Sequence, residues 1–209
     1  MRSGCSRTCT SARRSSSSPL EPVDESERPR RSPLKIAAQA VALAAVFGLL
    51  GVLVWRVTHH TPSVSAALAR GERPEAPVFD LPRLTGPGRI DLAAYRGHPI
   101  VLDFWASWCY ACPYESKRLQ AAMRRYGKLG VVALGVNSKD LSSDAKRYLR
   151  KYHIRYPSVR DGDGKVLNRW VGGVRMPTLF FVSRSGKVVG EMEAEQDLPR
   201  YLNEISRPS

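Results

Sequence analysis

Acidic residues are in short supply: 19 Asp and Glu stand against 33 Lys and Arg, for a formal net charge of +14. Such an excess raises the question of a nucleic-acid partner. The features that would carry one are missing. The sequence has no recognition-helix pattern, no zinc-finger spacing and no alternation of basic and aromatic residues. The positive charge is also spread, with eight basic and four acidic groups in residues 1–35 and 22 and 14 in residues 75–209. No nucleic-acid binding is expected, and a basic surface near an anionic membrane is the simpler reading. Cysteine is scarcer still, at four residues: Cys5 and Cys9 near the start, Cys109 and Cys112 deep in the chain. Four thiolates suit a structural zinc. Here the pairs flank an apolar segment that would put them on opposite sides of a membrane, so no metal is expected.

Residues 1–33 are rich in Ser, Arg, Pro and Glu, include the run Ser15–Ser18, and lack apolar periodicity. Too little apolar surface is present to offset chain entropy, which predicts a disordered tail. Ile36 to Val54 holds no charge and one amide, Gln39. As a helix it would reach about 28 Å, the thickness of a bilayer's hydrocarbon. A transmembrane helix is expected over 34–56, with Trp55 at the interface. Arg28, Arg30, Arg31 and Lys35 precede it, whereas only Arg56 stands close behind it. The positive-inside rule makes the N-terminus cytoplasmic and the remainder extracytoplasmic. Cys5 and Cys9 should then stay reduced. Ala67-Leu68-Ala69 has the form of a signal-peptidase site but lies far beyond the apolar run. Arg30-Arg31 faintly resembles a twin-arginine export signal, with Pro33 where an aromatic is expected. Either route still delivers the C-terminal domain outside the cytoplasm. Residues 57–76 read as a linker. Adjacent His59 and His60 do not face one ion from a regular element, so they suggest no metal site.

From Pro77 to the end, strands and helices alternate. Strands are expected near Val78–Leu81, Ile100–Trp105 and Gly130–Val136. Helices are expected from Cys109 to Tyr126, over Asp140–Tyr152, and briefly through Leu167 and Trp170. Thr178–Ser183 and Lys187–Met192 read as a hairpin, and Leu198–Ile205 as a last helix. This order predicts an α/β domain over 77–209 with a mixed sheet flanked by helices.

Cys109 and Cys112 stand three apart in Trp-Cys-Tyr-Ala-Cys-Pro, after a strand and at a helix start. They can close a small disulfide ring on one side of the first turn. Unpaired N–H groups at the helix start favour the thiolate, the attacking species in disulfide exchange. Cys109 is expected to attack and Cys112 to resolve. A static disulfide would close too small a loop to stabilise much. Trp108 flanks the pair. Glu115 shares a helix face with Cys112. Asp103 lies in an apolar central strand, where desolvation would raise its pKa and fit it to take a proton from Cys112. Met176-Pro177 precedes a strand. A proline there is a candidate for a cis bond, leaving the Met176 backbone to pair with an extended substrate.

Val-Leu-Asp-Phe-Trp-Ala-Ser-Trp-Cys-Tyr-Ala-Cys (101–112) and Met-Pro-Thr-Leu-Phe-Phe (176–181) resemble the thioredoxin superfamily. Ala-Pro-Val-Phe-Asp-Leu (76–81), Leu-Ala-Ala-Tyr-Arg-Gly-His-Pro (92–99), Val-Ala-Leu-Gly-Val-Asn (132–137) and Glu115 resemble its membrane-tethered TlpA, ResA and CcmG group. The resemblance implies a thioredoxin fold with an N-terminal β-hairpin addition, a cis bond at Pro177 and a buried acid at Glu115. It implies no cofactor beyond a redox-active Cys109–Cys112 disulfide. It also implies exchange with exported proteins such as apocytochrome c, recharged by a membrane thiol electron donor. Asp103 departs from the group's usual Asn and matches thioredoxin itself. Ala111 replaces a frequent Pro, which leaves open whether the pair works as reductant or as oxidase. A thiol peroxidase would want Thr at the position of Ala106, and a copper-delivery module would want a nearby ligand such as His153.

Overall fold

The computed structural model describes residues 33–58, 62–192 and 197–207. The expected disordered tail up to residue 32, Cys5, Cys9 and the His59-His60 pair lie outside the described residues, while Pro33 belongs to the helix that follows. The chain divides into two compact units, Met1–His59 and His60–Ser209. The first contains helix α1 (Pro33–Thr58), opened by a proline at the position where a missing N–H does least harm. Its stretch Ala37–Arg56 has a mean hydropathy of 2.3 and no buried part. Among the described residues it is the one helix long and apolar enough to cross a membrane.

The second unit is built on a five-stranded mixed sheet. Its strands are β3 (Ile100–Trp105), β4 (Val132–Ser138), β5 (Ser158–Asp161), β6 (Thr178–Val182) and β7 (Val188–Met192), in the order β5-β4-β3-β6-β7. β3 runs parallel to β4 and antiparallel to β6. Before it stands a small antiparallel pair, β1 (Asp80–Pro82) and β2 (Arg89–Asp91), the expected hairpin addition. Helices α3 (Cys112–Tyr126), α4 (Ser142–Tyr152), α5 (Lys165–Val171) and α6 (Leu198–Ser206) belong to the same unit, as does the short α2 (Val64–Ala69).

Alternation along β3 decides where the chemistry sits. Ile100, Leu102 and Phe104 join a core with Leu134, Val136, Trp170 and Phe180. Val101 joins a second cluster with Leu119, Phe181 and Leu202, and Trp105 a third with Tyr148 and both cysteines. Asp103 lies between Val101 and Trp105 in the pleat and so shares their face, the one that carries α3. Gly135 of β4 makes room there. A Cβ at that position would lie 2.7 Å from the indole nitrogen of Trp105 and 2.3 Å from Ser158 Oγ.

Two sequence expectations change. Within the segment read as a linker, Val64–Ala69 forms helix α2, with the Ser63 hydroxyl accepting the Ala66 N–H at 3.2 Å. Val64 and Ala67 are buried, and α2 packs on α5 and β7. Glu75 bridges to Lys187 and Val188 N–H reaches Pro74 O at 2.9 Å, so folded structure starts well before Pro77. Small apolar residues at i, i+3 and i+4 make the buried stripe, a pattern the polar composition hides. The second change is β5, a strand the sequence reading does not include: Ser-Val-Arg-Asp carries two charges and only one apolar residue.

The end of β5 is held by Asp161. Its buried carboxylate accepts from Ser138 Oγ at 2.8 Å, Val166 N–H at 3.1 Å and Leu167 N–H at 2.9 Å. It thus joins two strands to the first turn of α5. Asp161→Ala leaves these donors without a partner and should lower the unfolding free energy by about 3 kcal/mol in urea titrations. A loss below about 1 kcal/mol would show that the junction is held by packing instead.

Candidate active site

The dithiol hangs between β3 and α3 on a loop tied to the neighbouring strand. The Asp140 carboxylate, just past β4, accepts from Ser107 N–H at 2.6 Å and Ser107 Oγ at 2.7 Å. Asn137 Nδ2 donates to the same carboxylate at 2.8 Å. Trp108 Nε1 donates to Lys139 O at 3.1 Å. Asn137, Lys139 and Asp140 therefore fix the approach to Cys109.

Cys109 and Cys112 form a disulfide, with their Cα atoms 5.5 Å apart. The helix begins at Cys112, not at Cys109 as expected. Pro113 sets the first turn and Glu115 stands within it. Cys109 consequently sits before the helix, and Cys112 N–H donates to its sulfur at 3.2 Å. That bond supplies the stabilisation expected from a place inside the turn: a donor aimed at Sγ favours its thiolate. Cys109 retains 6% exposure and Cys112 none. Access from solvent is therefore to Cys109.

Behind the pair is a buried polar cluster. Asp103 is fully buried, and its Oδ2 accepts from the Tyr156 hydroxyl and from Ser116 Oγ at 3.2 Å. Ser116 Oγ also lies 3.3 Å from the Tyr148 hydroxyl. Ser116 is one turn beyond Cys112, so the carboxylate lies beneath the first turn of α3. Loss of hydration pushes the Asp103 carboxyl up to about 6, against the pull of the Tyr156 and Ser116 hydrogen bonds, and nearby Glu115 pushes it further up. Burial also raises the Tyr148 and Tyr156 hydroxyls, which remain protonated donors. Glu115 is buried on the same helix.

The Met176–Pro177 peptide is cis. Met176 packs against the cluster that holds both cysteines. Trp108 is half exposed, and with Cys109, Tyr110, Tyr114, Lys117 and Tyr152 it lines a groove of about 540 Å³. The structure thus brings Cys109, Cys112, Asp103, Glu115, Trp108 and Met176 into one region. Four members were not anticipated: Asp140, Ser116, Tyr148 and Tyr156. Ser116 was within reach of the helical repeat, four residues after Cys112. His153 ends α4 with a left-handed backbone and lines a separate cleft with Tyr156.

A buried-acid dithiol at the mouth of a helix, on a thioredoxin-like sheet, defines a thiol–disulfide oxidoreductase. The chain belongs to the AhpC/TSA family, whose family model matches residues 73–190. It is 31% identical over 146 residues to the thiol:disulfide interchange protein DsbE of Pseudomonas fluorescens biotype C, covering 69% of this chain and 78% of that one. It is 30% identical over 161 residues to the thiol-disulfide oxidoreductase ResA of Geobacillus thermodenitrificans, covering 75% and 90%. The fold is also that of the thioredoxin domain of a thiol-disulfide oxidoreductase from Bacteroides vulgatus. That likeness has a TM-score of 0.58 and 22% identity, and covers 64% of this chain and 96% of that one.

The position of Asp103 has a consequence for stability. An aspartate in an unfolded chain titrates near 3.9, against about 6 here. Below both values each state holds its proton and the group adds no pH dependence. As pH rises from about 4 to 6, the unfolded chain ionises first, so stability falls, by on the order of 3 kcal/mol in full. Asp103→Asn removes that fall. The variant should be the more stable protein at pH 7.5, with the advantage vanishing towards pH 4 in urea titrations. A constant difference between the two proteins across that range would contradict the assignment.

Proposed function

We propose that this protein reduces disulfides in exported proteins from a membrane-anchored position, with the dithiol domain outside the cytoplasm. The observation that carries this reading is the buried Asp103 carboxyl, hydrogen-bonded to Ser116 one turn beyond Cys112 on α3. In reduction, the Cys109 thiolate attacks a substrate disulfide. A sulfur–sulfur bond forms to Cys109, the substrate bond breaks, and one substrate sulfur leaves as a thiolate and takes a proton from water. Cys112 must then lose its proton to attack Cys109. Asp103 is the acceptor placed for that proton, with Glu115 buried beside it. The substrate leaves as a dithiol, and two electrons have passed from protein to substrate. A membrane thiol electron donor reverses the change and regenerates the pair without a further cofactor.

Trp108 lines the groove with Cys109, Met176 packs on the cysteine cluster, and these two with the cis Pro177 are assigned to substrate binding. Met176 would offer its backbone to an extended peptide. Helix α1 has the length and apolarity of an anchor. The cluster Arg28, Arg30, Arg31 and Lys35 before it supports a cytoplasmic N-terminus. Apocytochrome c, with its paired cysteines, is the substrate favoured by the likeness to the TlpA, ResA and CcmG group. The competing reading is an oxidase that makes disulfides, since Ala111 stands where a proline is frequent in that group.

Thiol trapping in cells separates the two: a reductase should hold Cys109 and Cys112 mostly as thiols, an oxidase mostly as the disulfide. Cys112→Ser should accumulate mixed disulfides through Cys109 that name the substrates. If Cys109 stays reactive and no mixed disulfide forms, the resolving role of Cys112 is wrong.

A further inference from the structure

The groove beside Cys109 carries a cation from α3, and the cleft adjoining it across Tyr152 carries one from α4. Lys117 lines it, and its ammonium lies 5.2 Å from the centroid of the Tyr152 ring. The Lys151 ammonium lies at the same distance from the same ring. Both lysines are exposed, and among the described residues neither has a carboxylate within ion-pair reach. Two like charges are therefore gathered around one aromatic ring, and the carboxylate that lines the cleft with Lys151, Asp144, is paired with Arg147. The acids of the surroundings are already engaged: Asp144 pairs with Arg147 at 3.3 Å, Asp140 holds the Ser107 loop, and Glu115 is buried. No carboxylate is among the described residues lining the groove. Its rim is aromatic, with Tyr110 92% and Tyr114 67% exposed.

We infer that this groove selects substrate disulfides flanked by Asp or Glu, with Lys117 and Lys151 meeting the acidic side chains as the substrate sulfur reaches Cys109. The inference rests on the thiol–disulfide exchange proposed above and adds a chemical class of substrate to it. A bare pair of ammonium groups attracts an anion, and the exposed rings offer apolar contact to the backbone between its charges. A lipid headgroup surface is the poorer occupant. Lys117 shares a depression with the catalytic sulfur, and Lys151 lines the adjoining cleft across Tyr152, so a bilayer lying on the two cations would cover the sulfur.

Three synthetic peptides test this, each with one internal disulfide flanked by Glu, Ser or Lys, reacted with the reduced full-length protein in a neutral detergent. The Glu peptide should react at least about tenfold faster than the Lys peptide at low salt, and the ratio should approach one at high salt, as screening requires. Lys117→Ser/Lys151→Ser should bring the low-salt ratio towards one, and Lys117→Glu/Lys151→Glu should invert it. Equal rates for Glu and Lys peptides while all three react would overturn the inference and leave the exchange reading standing. So would an unchanged ratio in the Glu variant that has lost binding to phosphatidylglycerol vesicles, which would assign the patch to lipid. Failure of all three peptides to react would overturn the reductant reading and this inference with it.

Discussion

The interaction on which this site depends is the burial of one carboxyl group in the central strand. A charged Asp103 in that position is costly, and the structure compensates only in part. Two hydroxyl donors reach one of its oxygens, while the other has no hydrogen-bond partner among the described residues. The consequence is a proton held more tightly than in water, close to the first turn of the helix that carries Cys112. A hydrophobic residue in this place would pack with no such penalty. Stability is given up where a proton acceptor is wanted, as expected of a functional site.

The rest of the domain holds the sulfur pair at the start of the helix whose Ser116 bonds that acid. The sheet places β3 centrally and its pleat points Asp103 at α3. Asp140 fixes the loop before Cys109, and the Cys112 N–H fixes the sulfur itself. One thiol has a little exposure and the other none, an asymmetry that fits separate attacking and resolving roles. The surface beside the exposed sulfur is aromatic and cationic, which would put any discrimination between substrates in groups adjacent to, but separate from, the chemistry at sulfur.

Distance along the chain decides how much was legible in the sequence. The pair Cys109 and Cys112, and Glu115 one turn on, are local relations that helix geometry makes readable. Asp103 was readable because a carboxylate in Ile-Val-Leu-Asp-Phe-Trp has no exposed face to occupy. Asp140 and Tyr156 were not, since they reach the site across separations of 33 and 53 residues and nothing in their own surroundings marks them. The start of α3 was misplaced by one turn because the rule that helices begin near such motifs does not say which cysteine lies inside. Strand β5 was lost because an edge strand with two charged residues and one apolar residue has no periodic signal. Helix α2 was lost because its buried stripe consists of small residues in a segment whose composition reads as a tether.

The central claim is that Asp103 receives the proton of Cys112. It is tested most directly by the pH dependence of the resolving step, followed as release of thionitrobenzoate from a mixed disulfide formed at Cys109. The wild-type rate should rise through pH about 6, the range set for Asp103 by its burial. In Asp103→Asn the rise should move towards the ordinary thiol range near 8.5, with the rate at pH 6.5 reduced about tenfold or more. Superimposable profiles for the two proteins would contradict the account.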